Sequence, residues 1–201
     1  MAHSAGDIDE QTLLGCIKKN RKCQEKLYKQ FYGYGMSIGL RYTNSRDEAK
    51  EIINDAFVKI FASIEKYDSK QSFKAWIRRI IINTSIDHYR RELKHQNHLD
   101  LDTQVVQDLN TEAIDQLAFE DIVKLLNQLP EFYRITFNLY EIEGYSHDEI
   151  SEVLNITPSS SRVYLMRAKK RLRELFQKYY STNDRMISSS ADHVVMRESI
   201  I

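Results

Sequence analysis

Apolar residues recur along this chain at steps of three and four, the period of helices with one buried face. The first such stretch, 9–19, carries Leu13, Leu14 and Ile17 on one side. A longer helix is predicted over 22–42, with Leu27, Phe31, Tyr34, Ile38 and Tyr42 in register. Gly33, Gly35 and Gly39 weaken it by roughly 1 kcal/mol each against alanine. They therefore predict close approach of a neighbouring helix rather than chemistry.

Ser45 with Glu48 forms a capping box that opens the next helix. Its core face is Ile52, Ile53, Ala56, Phe57, Ile60, Phe61 and Ile64, and its other face carries Glu51, Asn54, Asp55, Val58 and Lys59. An exposed valine set among acids on a regular face is a hint of a protein partner. The loop 67–71 leads to a helix starting at Ser72, with Phe73, Trp76, Ile77, Ile80, Ile81 and Ile86 apolar. Lys74, Arg78, Asn83, Asp87, Arg90 and Arg91 lie largely off that face. Flanked by Tyr67 and Tyr89, they suit contact with a nucleic-acid backbone and base stacking, or else form a plain solvated cationic face.

The period is lost over 92–111, a polar and acidic stretch that reads as a linker. It resumes with Ile114, Leu117, Ile122, Leu125, Leu126 and Leu129, then restarts after Pro130 with Phe132, Ile135, Leu139 and Ile142 on one stripe. Gly144 ends that helix. Ser146 with Glu149 is a second capping box, opening a short helix whose apolar face is Ile150, Val153 and Leu154. Asn155 tolerates the left-handed backbone that terminates it. Thr157 caps the following helix and Pro158 takes its first position, where no N–H is needed. Two helices about a tight turn are the helix-turn-helix layout, and small polar residues followed by a dense basic run suit a recognition helix. Capped helix pairs also occur in proteins that never touch DNA, so this segment alone does not decide.

The expected fold is all-α: two small helical bundles joined by a flexible acidic linker, with the helix-turn-helix in the second. The domains fall at 8–95 and 112–180, with a linker at 96–111 and a loosely ordered tail at 181–201. The 201 residues include only six Gly and two Pro, which favours long helices over sheets with many turns.

The formal net charge is zero, yet the charges are segregated. Lys66 to Lys94 holds eight Lys and Arg against three Asp and Glu. Arg162 to Lys178 holds seven against one, and Gln96 to Glu131 holds one against eight. Two basic blocks about an acidic one point to two nucleic-acid contacts and an anionic spacer.

Cys16 and Cys23 fit no common zinc spacing, and His95 and His98 lack further ligands, so neither a metal nor a cofactor is expected. No nucleophile–base pair and no glycine-rich phosphate loop occurs, which argues against an enzyme. The polar, acidic start and the lack of a long apolar run predict a cytoplasmic protein with no membrane insertion.

Both halves resemble the extracytoplasmic-function sigma factors, two-domain members of the main bacterial sigma family. EIINDAF places Glu51, Asn54, Asp55 and Phe57 on the family's acidic helix pattern. AWIRRIIIN supplies Ala75, Trp76, Ile77, Ile80 and Asn83, followed by Asp87, Arg90 and Arg91. The stretch from LPEFYRITFNLYEIEGYSHDEI through RAKKRLREL matches the family's C-terminal domain. Ser161 departs from the pattern, which has a buried aliphatic there, and Val163 and Tyr164 replace more polar residues.

The resemblance implies a factor that binds core RNA polymerase and directs promoter-specific initiation. Glu51, Asn54, Asp55 and Val58 would meet the β′ clamp. Lys70, Lys74, Arg78, Asn83, Asp87, Arg90 and Arg91 would open and read the −10 element. Ser159, Ser160, Arg162, Val163, Arg167 and Lys170 would serve the −35 element, while Lys169, Lys170 and Arg171 suit phosphates or the β flap. An anti-sigma factor is a further partner that the resemblance admits. The rival readings are a stand-alone helix-turn-helix regulator acting without polymerase and a protein-interaction module such as a sigma-like decoy. The promoter sequence, the inducing signal and the role of the tail are not legible.

Overall fold

The computed structural model describes residues 8–96 and 114–195. The described residues form eight α-helices and no strand: α1 Glu10–Ile17, α2 Arg21–Gly39, α3 Arg46–Ser63, α4 Phe73–Gln96, α5 Ile114–Asn127, α6 Glu131–Phe137, α7 His147–Leu154 and α8 Pro158–Val195. A short 3-10 turn, Ile64–Lys66, follows α3, and a π-helical turn, Asn138–Ile142, follows α6. The chain forms two compact units, the first built on α1 to α4 and the second on α5, α6 and α8. The predicted linker, 96–111, lies almost wholly outside the described residues.

In the first unit α2, α3 and α4 pack on one another, and α1 packs on α2. Asp9 caps α1 by accepting from Thr12 N–H, and Asn20 caps α2 through Lys22 and Cys23. Ser45 caps α3 through Glu48 N–H at 3.1 Å, whereas the Glu48 carboxylate accepts from Asn44 N–H at 3.3 Å, one residue outside the predicted box. The core is Leu27, Phe31, Ile38, Ile52, Ile53, Phe57, Ile60, Phe73, Ile77 and Ile81, all essentially inaccessible. The α2 glycines divide in two. A Cβ on Gly35 would meet Ile53 at 3.3 Å, and one on Gly39 would meet Ile53 at 3.4 Å, so both mark the close approach of α3. Gly33 faces open space.

One residue expected in the core of this unit and one expected on its surface lie elsewhere. Leu14 is exposed, because α1 is short enough to pack through Thr12 and Cys16. Tyr89, expected beside the bases, is only 2% exposed and belongs to the core.

The second unit is built on α8. Leu126 and Leu129 pack with Ala168 and Leu175, joined by Leu125, Tyr133, Phe137 and Leu172. Val123 is buried in α5, while its neighbour Ile122 is exposed. The predicted stripe after Pro130 breaks at the π turn, where Glu143 N–H reaches back five residues to Asn138 O. The extra residue in that turn rotates everything after it, so Ile135 and Leu139 are buried and Ile142 is not.

The helix α8 runs on to Val195, fifteen residues past the end expected from the sequence. From Ser159 to Val195 there is neither Gly nor Pro, so nothing in that stretch breaks a helix already started. The last six residues of the predicted tail lie outside the described residues.

Candidate nucleic-acid and polymerase interfaces

The helix-turn-helix forms by the predicted local chemistry. Ser146 N–H donates to Glu149 Oε2 at 2.8 Å, and Glu149 N–H donates to Ser146 Oγ at 3.2 Å, a complete capping box. The Ser146 N–H, and then the Ser146 hydroxyl donating to the same oxygen at 2.8 Å, favour the charged carboxylate and hold Glu149 below its ordinary range. Gly144, with φ of 77°, makes the turn into the motif, and Asn155, with φ of 53°, makes the turn within it. Thr157 Oγ1 then accepts from Ser160 N–H at 3.1 Å and opens α8.

On α8 the core side is Ser161, Leu165, Ala168 and Leu175. At 100° per residue, the side directly opposite carries Ser159, Val163, Met166 and Lys170, with Arg162 and Arg167 to either hand. Ser159, Arg162, Val163, Arg167 and Lys170 are exposed, and Ser160 is half-buried within the cap. Arg167 Nη1 donates to Tyr133 OH at 3.1 Å, which holds it to the side of the helix. Tyr164 turns inward against Phe132 and Tyr133, each at 5.6 Å between ring centroids. Of the basic run, Lys169 is paired with Glu141 at 2.6 Å and Arg171 with Glu174 at 3.4 Å. Ser161, foreseen as a departure from the family pattern, is buried against His147.

In the first unit the residues expected at the −10 element separate into two groups. Lys74 lies over the Tyr34 ring at 4.5 Å, and Arg78 Nη1 approaches Tyr34 OH at 3.4 Å, so both gather at the start of α4 near α2. Lys70 is exposed on the preceding loop. Here Tyr67 packs edge-on against Phe73 and lies tilted, at 53°, against the half-buried Trp76. The second group is the exposed row Arg79, Asn83 and Asp87 at steps of four, with Arg90 beside it. Arg79 was absent from the predicted set, although a count of four back from Asn83 finds it.

Two members of that set lean toward α3. Asp87 pairs with Lys59 at 3.0 Å, and Arg91 reaches Asp55 at 3.7 Å. Glu51, Asn54 and Asp55 of α3 and His88, Arg91 and Glu92 of α4 line one open groove of about 520 Å³. Asn54 accepts from Tyr28 OH at 3.0 Å, and Val58 stands 68% exposed on the same helix. Arg91 is thus gathered with the predicted polymerase residues. His88 and Glu92 joined this groove without being foreseen, since α4 was read only for its cations.

The fold and these surfaces define a two-unit helical protein with a helix-turn-helix bearing an exposed basic face in one unit and a mixed-charge helical groove in the other. Residues 27–94 match the family described as Sigma-70 region 2, and residues 119–172 match Sigma-70, region 4. Together the two matches take in more than half of the chain.

The chain is 26% identical over 162 residues to the ECF RNA polymerase sigma factor SigE of Mycolicibacterium smegmatis, covering 78% of this chain and 63% of that protein. It is 23% identical over 159 residues to SigM of Bacillus subtilis, covering 77% of this chain and 95% of that protein. A Bartonella quintana sigma factor RpoE, solved in complex with the anti-sigma factor NepR, has 18% identity and a TM-score of 0.48, over 76% of this chain and 96% of that one. The chain belongs to the sigma-70 family, in its extracytoplasmic-function group. It is a sigma factor, binding core RNA polymerase and directing promoter-specific initiation.

Proposed function

We propose that the two units divide initiation between them. The α3 face with Glu51, Asn54, Asp55 and Val58 docks on the polymerase β′ clamp, together with Arg91 of the shared groove. The start of α4 and its exposed row take the −10 element, and α8 takes the −35 element. The domain limits follow as 8–95 for the first task and 112–180 for the second, with 96–111 between them.

The observation that carries this reading is the groove between α3 and α4. It puts Glu51 and Asp55 beside Arg91, while Arg79, Asn83 and Arg90 remain exposed on the same helix. One helix thereby serves a protein partner on one edge and a polynucleotide on another. A row of Arg and Asn suits phosphates and unpaired bases. Strand opening requires a base to leave the stack at a cost of a few kcal/mol, which an aromatic surface offsets. Buried Tyr89 is unsuited to that work, and the Tyr67–Trp76 surface beside Lys70 is the better platform.

The protein acts without catalysing a reaction of its own and works where its polymerase works, in the cytoplasm. Among the described residues no helix is long and apolar enough to cross a membrane. Contacts of the α8 basic run with the β flap, and an anti-sigma partner, rest on the family resemblance. The test is reconstitution with core polymerase on promoters selected by the pair. Promoter-specific transcripts that need both components support the reading, and tight promoter binding without polymerase favours a stand-alone regulator.

A further inference from the structure

We infer that α8 reads thymine methyl groups in the major groove through Val163 and Met166. The inference rests on the reading of α8 as the −35 helix and names the chemistry that this helix selects.

The outermost line of a helix seated in the major groove faces the base edges, while its flanks face the phosphates. On α8 that line is Ser159, Val163, Met166 and Lys170, opposite the buried line of Ser161, Leu165 and Ala168. Its two central positions are apolar. Val163 is 38% exposed and Met166 is 64% exposed, so neither contributes to the core. The polar side chains at the start and the flank of that line are already engaged. Ser159 and Ser160 lie within 2.8 Å of Thr157 Oγ1 in the cap, and Arg167 is held aside by Tyr133.

An apolar pair on the solvent face of a strongly cationic helix marks what it meets. Arg162, Arg167 and Lys170 border it, so the surface fits a polyanion with apolar groups on its edge. Among the four bases only thymine presents a methyl group in the major groove, and apolar side chains are its usual partners. Val163 and Met166, three residues apart, lie on adjacent turns and so address neighbouring base steps. Methionine adapts its shape to whichever step it meets. The −35 preference thus includes one or two thymines fixed by their methyls, with arginines setting the register.

The probe is a pool of promoter duplexes randomised across the upstream element and selected by the complete chain bound to core polymerase. The selected duplexes are then remade with deoxyuridine at each thymidine of that element, which removes only the methyl. The expected result is a loss of about three- to fivefold in affinity per contacted methyl, the worth of burying one such group. Val163→Ser with Met166→Gln should abolish that discrimination while leaving polymerase affinity intact. Both residues are exposed, so the variant should melt as the parent does. Selected elements whose uracil forms bind equally well would overturn the inference and leave the −35 assignment standing. A double variant that loses polymerase affinity instead would overturn it by assigning the pair to a protein contact. A pool showing no enrichment at all would sink the −35 reading itself, and the inference with it.

Discussion

His147 Nδ1 lies 2.9 Å from Ser161 Oγ, so the first residue of α7 is hydrogen-bonded to the buried serine of α8. The imidazole also stacks on Tyr140, 4.5 Å away at an interplanar angle of 23°. A serine at an inward position of α8 is therefore satisfied, and the polar pair fixes how α7 meets the recognition helix. Ser161→Ala should cost about 1 kcal/mol of stability, the worth of an ordinary internal hydrogen bond. Ser161→Leu should cost about 1–3 kcal/mol, because a larger side chain at this fully buried position must displace the His147 ring bonded to it. Denaturant melts of the two variants check the order.

The same imidazole makes the second bundle sensitive to acid. Burial and then the neighbouring Arg162 lower the His147 pKa below 6.5, against a smaller opposing effect of Asp148. The unfolded chain therefore takes up the proton first as pH falls. Stability from this group is whole above pH 6.5 and is lost as pH drops through the folded-state pKa. His147→Gln should flatten the dependence of the melting midpoint between pH 7 and 5. An unchanged slope would show that other groups set it.

Arg134 is fully buried, donating to Asn127 at 3.1 Å and lying 3.9 Å from Glu131. Arg134→Ala should destabilise by about 3–5 kcal/mol, since it empties a large volume and strands both partners. Arg134→Met, which keeps most of the volume, should cost less. Equal losses for the two would mean that the charge rather than the packing matters.

Gly33 and Gly35 separate propensity from packing on one helix. Gly33→Ala meets nothing and should stabilise by about 0.5–1 kcal/mol. Gly35→Ala meets Ile53 at 3.3 Å and should fail to gain as much, or lose. Thermal melts of the two variants give the answer directly.

How far the sequence carried is visible in these residues. Helix periods, caps and the turn at Asn155 are local, and each was legible from neighbours in the chain. Tyr89 was misread as a stacking residue because its burial depends on α4 meeting the rest of its bundle, which no local pattern reports. Ile142 left its stripe because a π turn inserts one residue that a fixed period of 3.6 does not anticipate. The pairing of Arg91 with Asp55 was not legible, because the two stand thirty-six positions apart in the chain. Met166 was passed over as one apolar residue in a basic run, although counting its angle from Ser161 puts it on the outward line.

Arg162→Ala should reduce promoter occupancy by roughly five- to a hundredfold without changing affinity for polymerase. Equal loss of both would show that Arg162 belongs to the protein interface. The comparison is made by titrating core polymerase and promoter duplex separately.

The division of labour itself turns on Asp55. The residue is exposed beside Arg91, so Asp55→Arg should leave helicity and melting unchanged. Permanganate reactivity of unpaired thymines, measured with core polymerase on a selected promoter, reads strand opening directly. The parent chain is predicted to open the promoter only with polymerase present. Asp55→Arg should need at least about tenfold more protein to do so. Undiminished opening by Asp55→Arg at matched concentrations would contradict the account.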